Sequence, residues 1–300
     1  MKPFRALGVI ALAWGAASLG VAALLSGCSE PSGDRDGGAD LVGASPRLAP
    51  LAGPMGSTGT NNLPPPVAMG LRDELFDATG LAFADYHSSD DTWWLDSNVP
   101  NDILVSTDDG RRLLKYAVRC GISEDVEILA VDPDGLLNTF PGQGLLTTTQ
   151  DWLTTPLTTE EAEDLFTCLL AHLNSRGVEV PINLSGLHVP NLSGADSGFT
   201  WEEALWATRI KVNPGKAPTF SFNVWPLDDL LECDRYVEHL EDRVCGTFSG
   251  DCNLTIHTDR DSACTEGSHG WVCDVGGTSM PVIKTRLKST DVELLYDSCP

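Results

Sequence analysis

Thr158-Thr159-Glu160-Glu161-Ala162-Glu163-Asp164-Leu165-Phe166-Thr167-Cys168-Leu169-Leu170-Ala171-His172-Leu173-Asn174-Ser175-Arg176-Gly177 is the stretch from which the fold is read. Ala162, Leu165, Phe166, Leu169, Leu170 and Leu173 recur at three- and four-residue intervals, which makes one apolar stripe along a helix. Thr158 and Glu161 stand at capping-box spacing: the hydroxyl accepts an orphan backbone N–H, and the glutamate reaches back to the N-terminal amide. Arg176 suits the negative end of the helix dipole and Gly177 the left-handed stop, so the pattern predicts a helix running to that point. A helix with one apolar face needs a second layer to cover it.

The flanking segments supply that layer. Downstream, Val178 to Leu184 reads as a strand, and Pro181 predicts an edge position because proline donates no ladder hydrogen bond. Upstream, Ser106 or Thr107 caps a second helix. Asp108 and Asp109 fall in its first turn, Leu113, Leu114, Ala117 and Val118 recur on one face, Cys120 sits in the last turn, and Gly121 ends it. Val126 to Val131, the turn Asp132-Pro133-Asp134-Gly135 and Leu136 to Phe140 read as a hairpin. Residues 70–82 hold a short helix, Trp201 to Lys211 a short helix or a strand, and Thr219 to Trp225 a strand.

Past Cys233 the chain changes character. Six cysteines fall within 67 residues, between short strand candidates at Leu254–His257, Trp271–Val275, Pro281–Arg286 and Val292–Tyr296. The predicted class is α+β: two helices packed on a small mixed or antiparallel sheet, followed by a β-rich, disulfide-stapled C-terminal section. The α+β domain is placed at 67–230. The section 231–300 is either separate or part of the same domain.

The N-terminus carries a different signal. Lys2 and Arg5 precede an uncharged, apolar or small run from Ala6 to Leu25, which is the form of an export signal. Leu25-Ser26-Gly27-Cys28 ends it and resembles the lipobox of bacterial lipoproteins. That resemblance implies cleavage of residues 1–27, lipidation of Cys28 and anchoring in a membrane of the cell envelope. Ser29 in place of Asp implies sorting to the outer membrane. Residues 29–66 are rich in Gly, Pro, Ser and Ala, without apolar periodicity, and are read as a disordered tether following the lipidated cysteine.

With Cys28 set aside, eight cysteines remain: Cys120, Cys168, Cys233, Cys245, Cys252, Cys264, Cys273 and Cys299. An even number in an exported chain predicts up to four disulfides. Cys120 pairs with Cys168 if each section closes its own bridges. A bridge between sections is the alternative, and the pairing of the other six is open. None forms a C-x-x-C, which removes zinc-ribbon and thioredoxin-type chemistry.

Residues 113–186 resemble a group of cysteine-containing lipoproteins of myxobacteria and their relatives. The match lies in Leu113 to Cys120, in Phe140 to Leu146 with Trp152 downstream, and in Leu157 to Gly186. The resemblance covers about a quarter of the chain. It implies an exported lipoprotein and carries no catalytic residue.

The whole chain has a formal net charge of −24. Loss of Lys2 and Arg5 with the signal leaves the mature chain at about −26. Such an acidic surface argues against nucleic acid and against anionic lipid surfaces as partners.

Gly277-Thr278-Ser279-Met280 looks like the nucleophile segment of subtilisin-type proteases, with Asp77 and His269-Gly270 as echoes of the acid and base. A separation of ten positions from His269 to Ser279 is too short for that fold, and Pro281 blocks the helix that follows its nucleophile. Cys168 and His172 stand at i and i+4, with His257 and His269 among the later cysteines; disulfides and surface histidines explain them better than a metal. Asp132 to Gly135 has too few acidic positions for a calcium loop. Trp93-Trp94 is the best exposed candidate for sugar stacking, and Trp152, Trp201, Trp206, Trp225 and Trp271 are read as core or half-buried. Asp108-Asp109 and Glu202-Glu203 are read into helix first turns. No cofactor motif is present. The expected function is an envelope lipoprotein with a structural or interaction role toward an envelope protein or polysaccharide. A secreted-type hydrolase and a sugar- or polymer-binding module are the alternatives.

Overall fold

The computed structural model describes residues 58–99, 101–190, 198–248, 250–267, 270–297 and 299. Residues 1–57, on which the expected signal segment, the expected lipidation of Cys28 and most of the expected tether fall, and His269 lie outside the described residues. Among the described residues no helix is long and apolar enough to cross a membrane.

In chain order the elements are β1 (Thr58–Asn61), α1 (Pro65–Gly70), α2 (Arg72–Thr79), β2 (Ala84–His87), β3 (Thr92–Leu95), α3 (Asn101–Leu104), α4 (Asp108–Gly121), β4 (Glu127–Val131) and β5 (Leu137–Pro141). They continue with α5 (Thr159–Ala171), β6 (Val180–Gly186), β7 (Trp201–Lys211), β8 (Thr219–Pro226), α6 (Asp228–Leu231), α7 (Tyr236–Cys245) and β9 (Leu254–Ile256). The last are α8 (Arg260–Ala263), β10 (Cys264–Gly267), β11 (Gly270–Val275), β12 (Thr278–Pro281), β13 (Ile283–Leu287) and α9 (Val292–Leu295). The class is α+β.

A six-stranded sheet in the order β1-β6-β13-β7-β8-β9 is the centre of the fold. All its pairs are antiparallel except β8 with β9. α5 lies across β7, and α4 packs on α5. The capping box forms as its chemistry requires: Thr158 N–H donates to Glu161 Oε2 at 2.7 Å, and Glu161 N–H to Thr158 Oγ1 at 3.2 Å. Thr107 caps α4 by accepting the Gly110 N–H at 2.9 Å. Two smaller sheets complete the molecule, β2-β3-β4-β5 and the β10-β11-β12 meander.

β7 explains why the residues from Trp201 onward gave no clear period. Its Ala204 and Trp206 face the main core, while Leu205 and Ala207 enter a second cluster with Trp225, Cys264, Cys273 and Met280. A strand buried on both faces reads as a continuous apolar run rather than an alternating one.

Five expectations are corrected. First, β1 and the start of α1 occupy 58–66, inside the predicted tether: β1 pairs with β6, and Leu63 is fully buried against Leu173. Second, α5 ends at Ala171 rather than at Gly177. There the Leu63 N–H donates to His172 O at 3.2 Å and the Asn174 N–H to Leu63 O at 2.9 Å, while Asn174 Nδ2 donates to Asn61 O at 3.0 Å and Val178 O at 2.6 Å. Third, β6 is an internal strand. Pro181 is tolerated because β13 reaches only to Ile182, which leaves Pro181 a neighbour on the β1 side alone. Fourth, Val292–Leu295 is a helix: Val292, Leu295 and Tyr296 are buried at helical spacing, with Leu294 exposed. Fifth, Glu202-Glu203 lie in β7, not in a helix turn.

β13 sits between β6 and β7, so the C-terminal section is built into the central sheet rather than appended to it. Four disulfides join Cys120–Cys168, Cys233–Cys299, Cys245–Cys252 and Cys264–Cys273. The last links residues directly opposite each other across β10 and β11.

Candidate functional site

The outward flank of α5 carries the site. Its apolar stripe turns to the sheet, which leaves Glu160, Glu163 and Asp164 on the flank facing the β6–β7 connection. His188 arrives from that connection, held by Thr147, whose N–H and Oγ1 both donate to His188 O at 2.8 and 3.1 Å. The imidazole Nδ1 lies 2.6 Å from Asp164 Oδ2, and Thr148 Oγ1 donates to the same oxygen at 2.9 Å. The carboxylate therefore places the proton on Nδ1 and fixes the ring.

Burial pushes the Asp164 carboxyl up, opposed by the attraction of His188 and by the Thr148 hydrogen bond. Burial also pushes Glu163 up, opposed by the Ile210 N–H at 2.8 Å and by Arg209. The pair opens into a cleft of about 310 Å³, which Ser279 of β12 also lines. A histidine oriented by a half-buried carboxylate, with a hydroxyl in the same cleft, can serve as a general base or as a hydrogen-bonding clamp.

Ser279 thus lies in a cleft with a histidine and an aspartate, and they are not the two that the motif suggested. Asp77 stands exposed on α2, outside the residues that line the cleft. Ser279 sits on one arm of a hairpin opposite Asp274, after a turn at Gly276 and Gly277 with φ of 59° and 82°. It is not on a strand-to-helix elbow. Asp164 and His188 carried no local motif, and no signal in the sequence would have joined them to Ser279.

Cys120, Cys168 and His172 bring their ligand atoms within 4.8 Å of one another. The two sulfurs are bonded to each other, so no thiolate remains to bind a metal. His172 Nδ1 lies 2.7 Å from Cys168 O, and burial lowers its pKa to about 4, so the ring is neutral. Gly59 closes over it: a Cβ there would stand 2.2 Å from Nε2. His257 stacks on Trp225 with 4.5 Å between ring centroids, and its Nε2 lies 3.0 Å from Asn223 Oδ1. Asp132 spends its carboxylate on its own turn, accepting the Asp134 and Leu136 N–H groups.

Trp93 and Trp94 point to opposite faces of β3 and are half-buried, Trp93 beside Tyr86 and Trp94 beside His87. They do not form one aromatic strip. Trp152, Trp201, Trp206 and Trp225 are buried.

A second buried polar group ties the sheet to the C-terminus. Arg243 of α7 pairs with Glu203 of β7, which also accepts the Tyr296 hydroxyl. Arg243 donates further to Leu173 O at 3.1 Å, Ala171 O at 2.8 Å and Tyr296 Oη at 2.8 Å, and its guanidinium lies 4.8 Å from the Trp206 ring centre. Burial pushes the Tyr296 hydroxyl up to about 12, with Arg243 opposing.

The fold and its sites define a disulfide-stapled α+β domain with polar clefts on either side of the α4–α5 pair. No family model, curated protein or solved structure matches the chain, so its own residues carry the functional argument.

Proposed function

We propose that the chain is a lipid-anchored protein of the cell envelope, sorted to the outer membrane, whose disulfide-stapled domain has an interaction or structural role. The cysteine pattern carries this reading. All eight cysteines after Cys28 are joined in four bridges, as suits an oxidising compartment outside the cytoplasm. Cys28 is the odd one, and it closes an apolar run in Leu25-Ser26-Gly27-Cys28. More than one acyl chain on that residue gives stable anchoring, which a single chain does not.

The test is expression in a Gram-negative host fed an alkyne-tagged fatty acid. The wild-type chain takes the label and fractionates with membranes. Cys28→Ser takes none and leaves the membrane fraction. Label retained by the variant would refute the assignment of the anchor.

One observation favours a second reading, hydrolysis: Asp164 orients His188 in a cleft that also holds Ser279. If that reading holds, a fluorophosphonate probe labels Ser279, and His188→Ala abolishes the labelling. The interaction reading expects no label on Ser279.

A further inference from the structure

On the other side of α4 the charge of the molecule reverses. Arg111, Arg112, Lys115 and Arg119 line one cleft of about 450 Å³, with Asn62, Asn138, Thr139 and two carboxylates, Glu179 and the Asp108 that engages Arg111. Positions 112, 115 and 119 fall on one face because three- and four-residue steps stack along a helix. Arg111 is engaged by Asp108 and lies 3.8 Å from Asp132. The other three have no carboxylate within 4.0 Å among the described residues.

Among the described arginines that lack of partners is confined to this place. Of the ten described arginines, eight stand within 4.0 Å of a carboxylate. The two that do not, Arg112 and Arg119, both line this cleft. In a chain of net charge −24, carboxylates are abundant enough to pair every arginine. Arg119 is also held in position. Its guanidinium lies 5.4 Å from the Tyr116 ring centre, Nη1 donates to Thr60 Oγ1 at 3.4 Å, and Nε is buried without a partner. Burial, and after it the neighbouring Arg119 and Arg112, lower the Lys115 pKa, with Glu179 opposing; a bound anion would relieve the repulsion among the cations.

The net charge does not forbid an anion here. Screening limits the field of distant charges to about 8 Å at physiological salt, so groups inside the cleft decide the contact. The lining also selects against a bare ion. Glu179 would repel one, but accepts hydrogen bonds from neutral hydroxyls, as Asn62, Asn138 and Thr139 also do.

We propose that the α4 cleft binds a sugar bearing an oxyanion, with the phosphate or carboxylate on Arg112, Lys115 and Arg119 and the ring hydroxyls on Glu179, Asn62, Asn138 and Thr139. The inference is independent of Cys28 acylation and stands whether or not the anchor does.

Titration calorimetry on the purified, disulfide-intact domain tests it, using glucose 6-phosphate, glucuronate, glucose and inorganic phosphate as probes. Saturable binding of glucose 6-phosphate or glucuronate is expected, weakening as salt is raised, and the tighter of the two identifies the oxyanion. Glucose and inorganic phosphate bind at least tenfold more weakly. Arg112→Gln with Lys115→Gln, both exposed positions, weakens binding at least tenfold without lowering the melting temperature. Lys211→Gln with Lys216→Gln, away from the cleft, leaves it unchanged. No saturable binding of either anionic sugar, inorganic phosphate binding as tightly as the sugar phosphate, or an unaffected Arg112/Lys115 variant would each overturn the proposal.

Discussion

Arg243→Met is expected to lower the unfolding free energy by about 3–5 kcal/mol, the largest loss from any single substitution considered in this protein. For a domain of this size that is a fall in Tm of roughly 10 °C. The reason is the charge left behind. Glu203 is fully buried, and Arg243 is its cationic partner. The guanidinium also satisfies the carbonyls of Ala171 and Leu173, where α5 has just ended and its last carbonyls lack helical partners. Methionine keeps much of the volume and none of these bonds.

Loss of packing and loss of charge can be separated. Glu203→Gln removes the charge that Arg243→Met strands, so the double variant is expected to recover much of the loss despite carrying two changes. Equilibrium urea unfolding of the three variants checks this. If the single and double variants unfold at the same denaturant concentration, the stranded charge is not the cause.

The second large effect concerns the Cys120–Cys168 bridge. Replacing both residues by alanine is expected to cost about 4 kcal/mol, because the bridge closes a loop of 48 residues in the unfolded chain. The same pair of changes at Cys245 and Cys252, whose separation is 7, should cost about 2 kcal/mol. The first bridge joins α4 to α5 in the core, with both cysteines fully buried. Guanidinium unfolding of the two double variants in oxidising buffer compares them. A smaller loss at Cys120 and Cys168 than at Cys245 and Cys252 would contradict the loop-entropy argument.

The two main helices were legible because each declares itself over a few residues. Thr158 with Glu161, Thr107 with Gly110, and the apolar stripes of α4 and α5 are contacts between near neighbours in the chain. The Asp132–Gly135 turn between β4 and β5 is of the same kind. Where a local signal competed with a contact distant in the chain, the distant contact prevailed. Arg176 and Gly177 look like a helix end, but β1 reaches in from residues 58–61 and stops α5 at Ala171. The segment from Val292 was too short for period 2 and period 3.6 to be told apart until Tyr296 found Glu203.

The sites divide in the same way. The stripe of Arg112, Lys115 and Arg119 is visible in the chain as helical spacing, but its meaning is not. Net charge says nothing about which cations find carboxylates, and only the folded molecule shows that these do not. Asp164, His188 and Ser279 are separated by 24 and 91 positions and share no motif.

Sequence alone therefore set what short stretches can enforce: helix starts and stripes, turns, an uncharged apolar run up to Leu25, and an even number of cysteines beyond Cys28. Tertiary structure decided what depends on residues far apart: β13 entering between β6 and β7, the four pairings, the buried Glu203–Arg243 pair and the two clefts. The physical reason is range. Caps, turns and periodicity are fixed by hydrogen bonds and sterics within about one or two helical turns. Strand order, burial of charge and the shape of a cleft arise only when distant segments exclude water together.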